Sequence, residues 1–246
     1  MMMYKMYIII GKWKMRNNKI LISIWAMLIA IAIILFALML SININAGDTR
    51  FYESFQRKHD IDRATGLSQD TLNIVNKDIV KYLSEGNDQY LSPHFNDREI
   101  SHMRDVFALF KLSRLAMDIS IGFIILSIIF SVFIKKSGLL LSKSIGYIIP
   151  ILGIILLLVL LASTNFNKYF TIFHEVFFDN DLWILNPQTD LMIQMMPLDF
   201  FIQMSLKIFL YFLAILVLVI LSYRLNEYFV KKNNKECILC NTKVAE

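Results

Sequence analysis

Four histidines, His59, His94, His102 and His174, are the groups of this sequence best suited to taking and giving protons near neutral pH. His59 sits in the charged stretch QRKHD and His94 in the turn SPHFND, settings that suit solvated side chains. His102 and His174 differ. His102 lies at the edge of an apolar stripe, Ile100, Met103, Phe107 and Phe110, that recurs at helical spacing. His174 lies in TIFHEVFFDNDLW, and a helix over Lys168 to Phe178 surrounds it with Phe170, Phe177 and Phe178 on one face. An apolar surround penalises imidazolium, so it keeps imidazole neutral and able to accept a proton. Two such rings could serve as base and acid in one reaction.

Other chemistries find less support. HEVFF begins like the zinc motif H-E-x-x-H, but Phe178 stands where the second histidine is needed. Two histidines with nearby acids could still ligate a metal through loops, so a metal-dependent hydrolase stays open. Cys237 and Cys240 form one CxxC pair with no second pair to complete a zinc site, and two cysteines cannot staple the loops. There is no G-x-S-x-G nucleophile turn and no glycine-rich phosphate loop.

The elements that must position these residues are membrane helices. The chain has 246 residues, 57% of them hydrophobic and 18% charged, against ~25% charged in a soluble domain. Ile20 to Ile42 and Ser144 to Asn167 are uncharged and exceed the ~20 residues that cross a bilayer as a helix. Ile119 to Ile134 and Ile208 to Tyr223 are shorter and need extension, the second through Phe200 to Lys207, whose ammonium could snorkel to a headgroup. The expected fold is an all-α integral membrane protein with four transmembrane helices and structured helical extracellular loops. The spans are placed at approximately 20–42, 115–134, 144–166 and 201–223, with outer loops at 43–114 and 167–200 and a tail at 224–246. The first span reads as an uncleaved anchor, since Ile44 is bulky where a cleavage site before Gly47 wants a small residue. The stretch MMMYKMYIIIGKWKM at the start reads as interfacial or as preceding a start at Met15. Gly146, Pro150 and Gly153 share a face of the third span, the pattern of close helix packing or of a groove for an acyl chain.

Charge bias orients these spans. Lys5, Lys12, Lys14, Arg16 and Lys19 precede the first, and Lys135, Lys136 and Lys143 link the second to the third, all without an acid. The tail carries Arg224, Lys231, Lys232, Lys235 and Lys243. These segments are therefore expected in the cytoplasm, with both termini there. The positive balance of +5 is thus a topology signal and calls for no nucleic-acid partner.

Both remaining loops, with all four histidines, then face outward. In the first, Leu72, Val75, Ile79 and Leu83 predict an amphipathic helix capped by Ser68 or Asp70 and stopped at Gly86. Asn96 with Glu99 predicts a second helix start, in which the glutamate reaches back to the cap. A straight helix from there into the second span would lift His102 ~25 Å above Ile119. The segment is therefore expected to lie along the surface or bend back. The second loop is too apolar for open water and too acidic for hydrocarbon, so it is expected at the outer membrane boundary.

ISHMRDV (Ile100 to Val106) and FHEVFFDNDLWILNPQTDLMIQMMP (Phe173 to Pro197) resemble the two signature segments of the bacterial lipoprotein intramolecular transacylases. The resemblance runs from about Met15 to about Tyr223. It implies an acyltransferase of the bacterial cell membrane, acting at the outer face on diacylglyceryl-modified lipoproteins in contact with membrane lipid, with no cofactor and no metal. The sn-2 acyl chain of the S-diacylglyceryl cysteine would move to its α-amine, giving the lyso form. It implies His102 and His174 as the catalytic pair, in unassigned order. Asp105, Asp179 and Asp181 are candidates to orient them, and Asn180 and Trp183 to hold the substrate head. A non-enzymatic lipid- or lipoprotein-binding scaffold is the other alternative.

Overall fold

The computed structural model describes the backbone of residues 2–133 and 137–243, with side chains over 19–133, 138–230 and at Lys232. The side chains of the N-terminal stretch through residue 18 and of Cys237 and Cys240 lie outside the described residues. Regular structure among the described residues is helical: α1 (Met2–Ala46), α2 (Thr49–Lys58), α3 (Ile61–Thr65), α4 (Gln69–Glu85), α5 (Asp97–Phe133), α6 (Ser137–Thr164), α7 (Phe166–Phe177), α8 (Leu191–Met195) and α9 (Leu198–Lys243), with a 3₁₀ turn at Asp88–Tyr90. Parts of α1, α5, α6 and α9 are long and apolar enough to cross a membrane: Lys19–Ala46, Asp97–Phe133, Gly138–Thr164 and Leu198–Val230.

α1 is the hub of the bundle and packs against α5, α6 and α9. Its small residues make this possible: Ala30 and Ala37 are fully buried beside Ile34, Ile145, Ile148, Phe212 and Leu216. Toward α5 the contact is partly polar, with the Asn43 amide donating to Ser113 Oγ at 2.9 Å. The face of α6 that carries Gly146, Pro150 and Gly153 corrects the packing expectation. It is exposed, and a Cβ at either glycine would meet open space. Bulky Ile145 and Ile148 form the buried face instead.

The connections before α5 and after α6 fold together at one end of the bundle and share a second core. Tyr52 and Phe55 of α2, Leu72, Val75 and Ile79 of α4, Ile100 and Met103 of α5, Met192 and Met195 of α8, and Phe200 of α9 form its centre. α4 starts and stops where the sequence predicts, with Ser68 Oγ accepting the Thr71 N–H at 3.2 Å and Gly86 left-handed at φ 73°. Together these folded connections form a cap on the bundle, which changes the expected path of the His102 segment. α5 runs unbroken for 37 residues, ~55 Å. No bend is needed, because the cap core rises beside its first turns and buries their apolar side chains. Lys207 also departs from expectation. Its ammonium is 2.6 Å from Asp48 and 4.8 Å from the centre of the Phe51 ring, held by protein.

Candidate active site

His102 is placed by the first turn of α5. Asn96 Oδ1 accepts the N–H groups of Arg98 and Glu99 at 2.9 and 3.0 Å, and Glu99 Oε2 accepts the Asn96 N–H at 2.8 Å. This is the reciprocal cap read from the sequence. His174 is placed by α7, which Asn165 caps by accepting the Lys168 N–H at 3.1 Å. The helix ends at Phe177, and Phe178 turns into extended backbone beneath the histidines.

These two starts bring the imidazoles together. The ring centres of His102 and His174 lie 6.1 Å apart, and both side chains are buried. Phe178 meets His102 edge-on at 5.4 Å and His174 at 5.5 Å, so it forms a common wall. Trp183 stacks on His174 at 4.8 Å, and Phe170 meets it edge-on at 4.5 Å. Phe177 is not part of this enclosure. It is 51% exposed, and Phe173 contacts His174 in its place at 5.5 Å. The helix stops one residue earlier than expected, so Phe178 swings inward and Phe177 stays on the outer face.

The hydrogen bonds distinguish the rings. His174 Nδ1 is 2.6 Å from the Phe170 carbonyl oxygen. A carbonyl only accepts, so Nδ1 carries the proton and Nε2 of neutral His174 presents a lone pair. Burial pushes the His174 pKa below the ordinary imidazole value, while the Phe170 carbonyl opposes that shift. His102 Nδ1 is buried without a protein partner.

The remaining sequence candidates surround this pair without touching its nitrogens. Asn180 donates to Asp105 Oδ2 at 2.9 Å. Asp181 accepts from Arg98 through its backbone carbonyl, and Asp179 is exposed. Among the described residues no carboxylate hydrogen-bonds to either imidazole. Asp105 and the Asp181 carbonyl tie the loop to α5, and the Phe170 carbonyl and Trp183 hold His174. His59 and His94 are engaged elsewhere, with Gln203 at 3.2 Å and Asp78 at 2.9 Å. Among the described residues no group of three His, Cys, Asp or Glu side chains converges as a metal site would require.

Sequence reasoning missed a second polar cluster beside the pair. Glu99, 1% exposed, accepts the Met192 N–H at 2.7 Å with its other oxygen. Asn96 Nδ2 donates to Asp190, which also accepts the Asn186 N–H at 2.7 Å and the Thr189 hydroxyl at 3.0 Å. The Asn186 N–H above all, with the Thr189 hydroxyl and the Asn96 amide, holds the Asp190 carboxyl below the usual carboxylate range. The capping spacing announced Glu99, but nothing local announced its partner across the fold.

Two histidines from separate segments, enclosed by aromatic rings at one end of a four-helix bundle, invite comparison with known proteins. The family profile described as "Lipoprotein intramolecular transacylase Lit" matches residues 27–201. The chain belongs to this family. Its members are lipoprotein intramolecular transacylases, membrane-integral acyltransferases. The fold agrees. The in meso structure of the membrane integral lipoprotein intramolecular transacylase Lit from Bacillus cereus superposes with a TM-score of 0.73 at 23% identity, covering 87% of this chain and 98% of that one. Two variants of the same Bacillus cereus protein, with one histidine changed to arginine or to alanine, give TM-scores of 0.75 and 0.74 at 22% identity. They cover 92% and 90% of this chain, and 99% of theirs in each case. No curated protein sequence matches significantly.

Proposed function

We propose that His102 and His174 carry the protons of an acyl shift within one diacylglyceryl-modified lipoprotein. The α-amine of its N-terminal cysteine attacks the carbonyl carbon of the sn-2 ester. The new N–C bond forms, the C–O bond to glycerol breaks, and the product is the N-acyl, S-monoacylglyceryl lyso form. The step is an isomerisation, so it consumes no water and requires no second substrate.

The observation that carries this reading is the pairing of the two rings at 6.1 Å, one with its tautomer set. A free α-amine has a pKa of ~8 and is mostly protonated at neutral pH. His174, neutral through burial and bearing its lone pair on Nε2, takes a proton from the attacking nitrogen. His102, across the gap, donates an N–H hydrogen bond to the departing glycerol oxygen, and that oxygen finally takes up the proton that His174 accepted, so both rings end neutral. The rings are too far apart to bond each other, which leaves the interval for the reacting carbonyl. Holding amine and ester together supplies much of the rate, up to ~7–11 kcal/mol in well-oriented cases. The aromatic walls matter because water admitted here would hydrolyse the ester instead.

The positive segments support a topology with both termini in the cytoplasm and the cap with its histidines facing outward. Lipoproteins anchored in the outer leaflet then meet the pair at headgroup depth. Mass spectrometry of a lipoprotein N-terminus tests this. Cells expressing the protein should convert diacylglyceryl cysteine to the lyso form, and cells expressing His102→Ala or His174→Ala should not. Conversion by both variants at the parental rate would remove the histidines from the mechanism.

A further inference from the structure

α7 presents three distinct faces, and only one of them holds the histidine. At ~100° per residue, Ile172, Val176, Tyr169, Phe173 and Phe177 occupy one continuous arc of about 140°. All five are exposed, Val176 most of all at 69%. Thr171, Glu175 and Lys168 occupy a separate polar arc. His174 lies between the two, buried, with the Phe170 and Phe177 edge of the apolar arc on one side and Thr171 on the other.

The chain indicates what covers the apolar arc. Only Asn165 separates α6 from α7. The upper part of α6 exposes Leu157, Leu158, Leu160 and Leu161, which in a membrane-crossing helix face lipid tails. The exposed arc of α7 continues that lipid-facing surface around a single residue of chain. A helix with one apolar face that carries a tyrosine, and a polar face that carries a lysine, has the pattern of one lying in the membrane interface.

We infer that α7 lies in the lipid interface of the histidine-bearing side, and that its Phe173–Phe177 edge is the threshold over which the substrate's acyl chains slide from the leaflet to His174. This rests on the transacylase reading and adds a route to it. The chains approach sideways, with their tails still in lipid. The peptide portion reaches the pair from the Thr171 and Glu175 side, in water. Both halves of an amphiphilic substrate thus find matching surroundings on the two flanks of one residue.

Depth measurements test the placement without needing activity. In a background with Cys237→Ser and Cys240→Ser, single cysteines are placed at Phe177 and at Glu175, labelled with a fluorophore and reconstituted in phosphatidylglycerol–phosphatidylethanolamine vesicles. The label at 177 should be quenched by lipids brominated in their tails and shielded from aqueous iodide. The label at 175 should show the reverse. Equal iodide quenching of both labels, or tail quenching of both, overturns the placement whatever the enzyme's chemistry.

The route has its own arm. With a diacyl lipopeptide in those vesicles, Phe177→Lys, a change on the threshold itself, should raise the apparent KM about tenfold while kcat changes far less. An unchanged KM overturns the threshold, as does an equal fall in kcat and kcat/KM. A parental protein that fails to convert the lipopeptide condemns the transacylase reading, and the quenching result stands apart from it.

Discussion

The Glu99 carboxylate receives the backbone N–H of Met192 at 2.7 Å across 93 positions of sequence. Its other oxygen receives the N–H of Asn96, so one buried side chain joins the helix start that carries His102 to the far end of the segment that carries His174. Glu99→Ala strands the buried Met192 N–H and the part-buried Asn96 N–H. The buried donor costs ~1–3 kcal/mol and the part-buried one less, so a loss of about 1–4 kcal/mol is expected. Thermal unfolding of the purified protein in detergent measures it. Glu99→Gln keeps one acceptor oxygen and should fall about halfway. A Glu99→Ala protein as stable as the parent would show that the two segments are held by apolar packing alone.

Much of this arrangement was legible in the sequence, and the rest was not for identifiable reasons. The uncharged runs announced four long helices, and Ser68, Gly86, Asn96 and Glu99 announced helix ends, because these signals act over one turn. The Asn96–Asp190 bond and the Trp183 stack on His174 join residues whose neighbourhood depends on the trace of a whole loop. Periodicity has no access to that. The path of α5 was not legible because the sequence alone offers lipid and water as the only surroundings. The cap core supplied a third, in which Ile100 and Met103 are buried well beyond the bilayer run.

The proton chemistry should appear in the pH–rate profile. As base, His174 works only when neutral. Its pKa lies below the ordinary value of ~6.5, with burial the leading cause, so activity should persist below pH 6.5 and fall as the pH passes through the lowered value. Trp183→Ala uncovers one face of the ring and returns water to it. It also removes a cation–π contact worth ~0.5–1 kcal/mol to imidazolium. Desolvation is the larger influence, so the acid limb should move up toward pH 6.5 in this variant. Stability carries the same sign: the unfolded chain binds the His174 proton more readily, so the folded protein loses ground as pH falls below ~6.5. Initial rates on a lipopeptide between pH 4.5 and 8, a range of order a few units around ~6.5, decide the first point. An acid limb displaced downward by Trp183→Ala would mean that the indole serves the cation instead.

Because the two imidazoles act on one folded substrate, their losses should not add. His102→Ala and His174→Ala are each expected to cost ~10²–10⁴ in kcat. The double variant should cost scarcely more than the worse single one, since a base without its acid already stalls the shift. Single-turnover rates, read by mass spectrometry of the lipopeptide product, give the cycle. Fully multiplicative losses would indicate two independent contributions and no shared proton path.

Gly86 tests how the cap is seated on α5. Its φ of 73° closes α4 in the left-handed region, and a Cβ there would strike the Phe107 ring. That ring is itself fixed, 5.8 Å from Tyr82 and beneath the Arg114 guanidinium, which also donates to the Leu83 carbonyl at 2.9 Å. Gly86→Ala therefore meets two penalties, ~1–2 kcal/mol for the backbone and ~1–3 kcal/mol for overpacking. Asparagine tolerates the left-handed region better, so Gly86→Asn relieves the first penalty and keeps the second. Adding Phe107→Leu to Gly86→Ala relieves the second and keeps the first. Both should unfold between the parent and Gly86→Ala in a thermal melt. If Phe107→Leu recovers nothing, the ring moves aside freely, and the junction between α4 and α5 is looser than its contacts indicate.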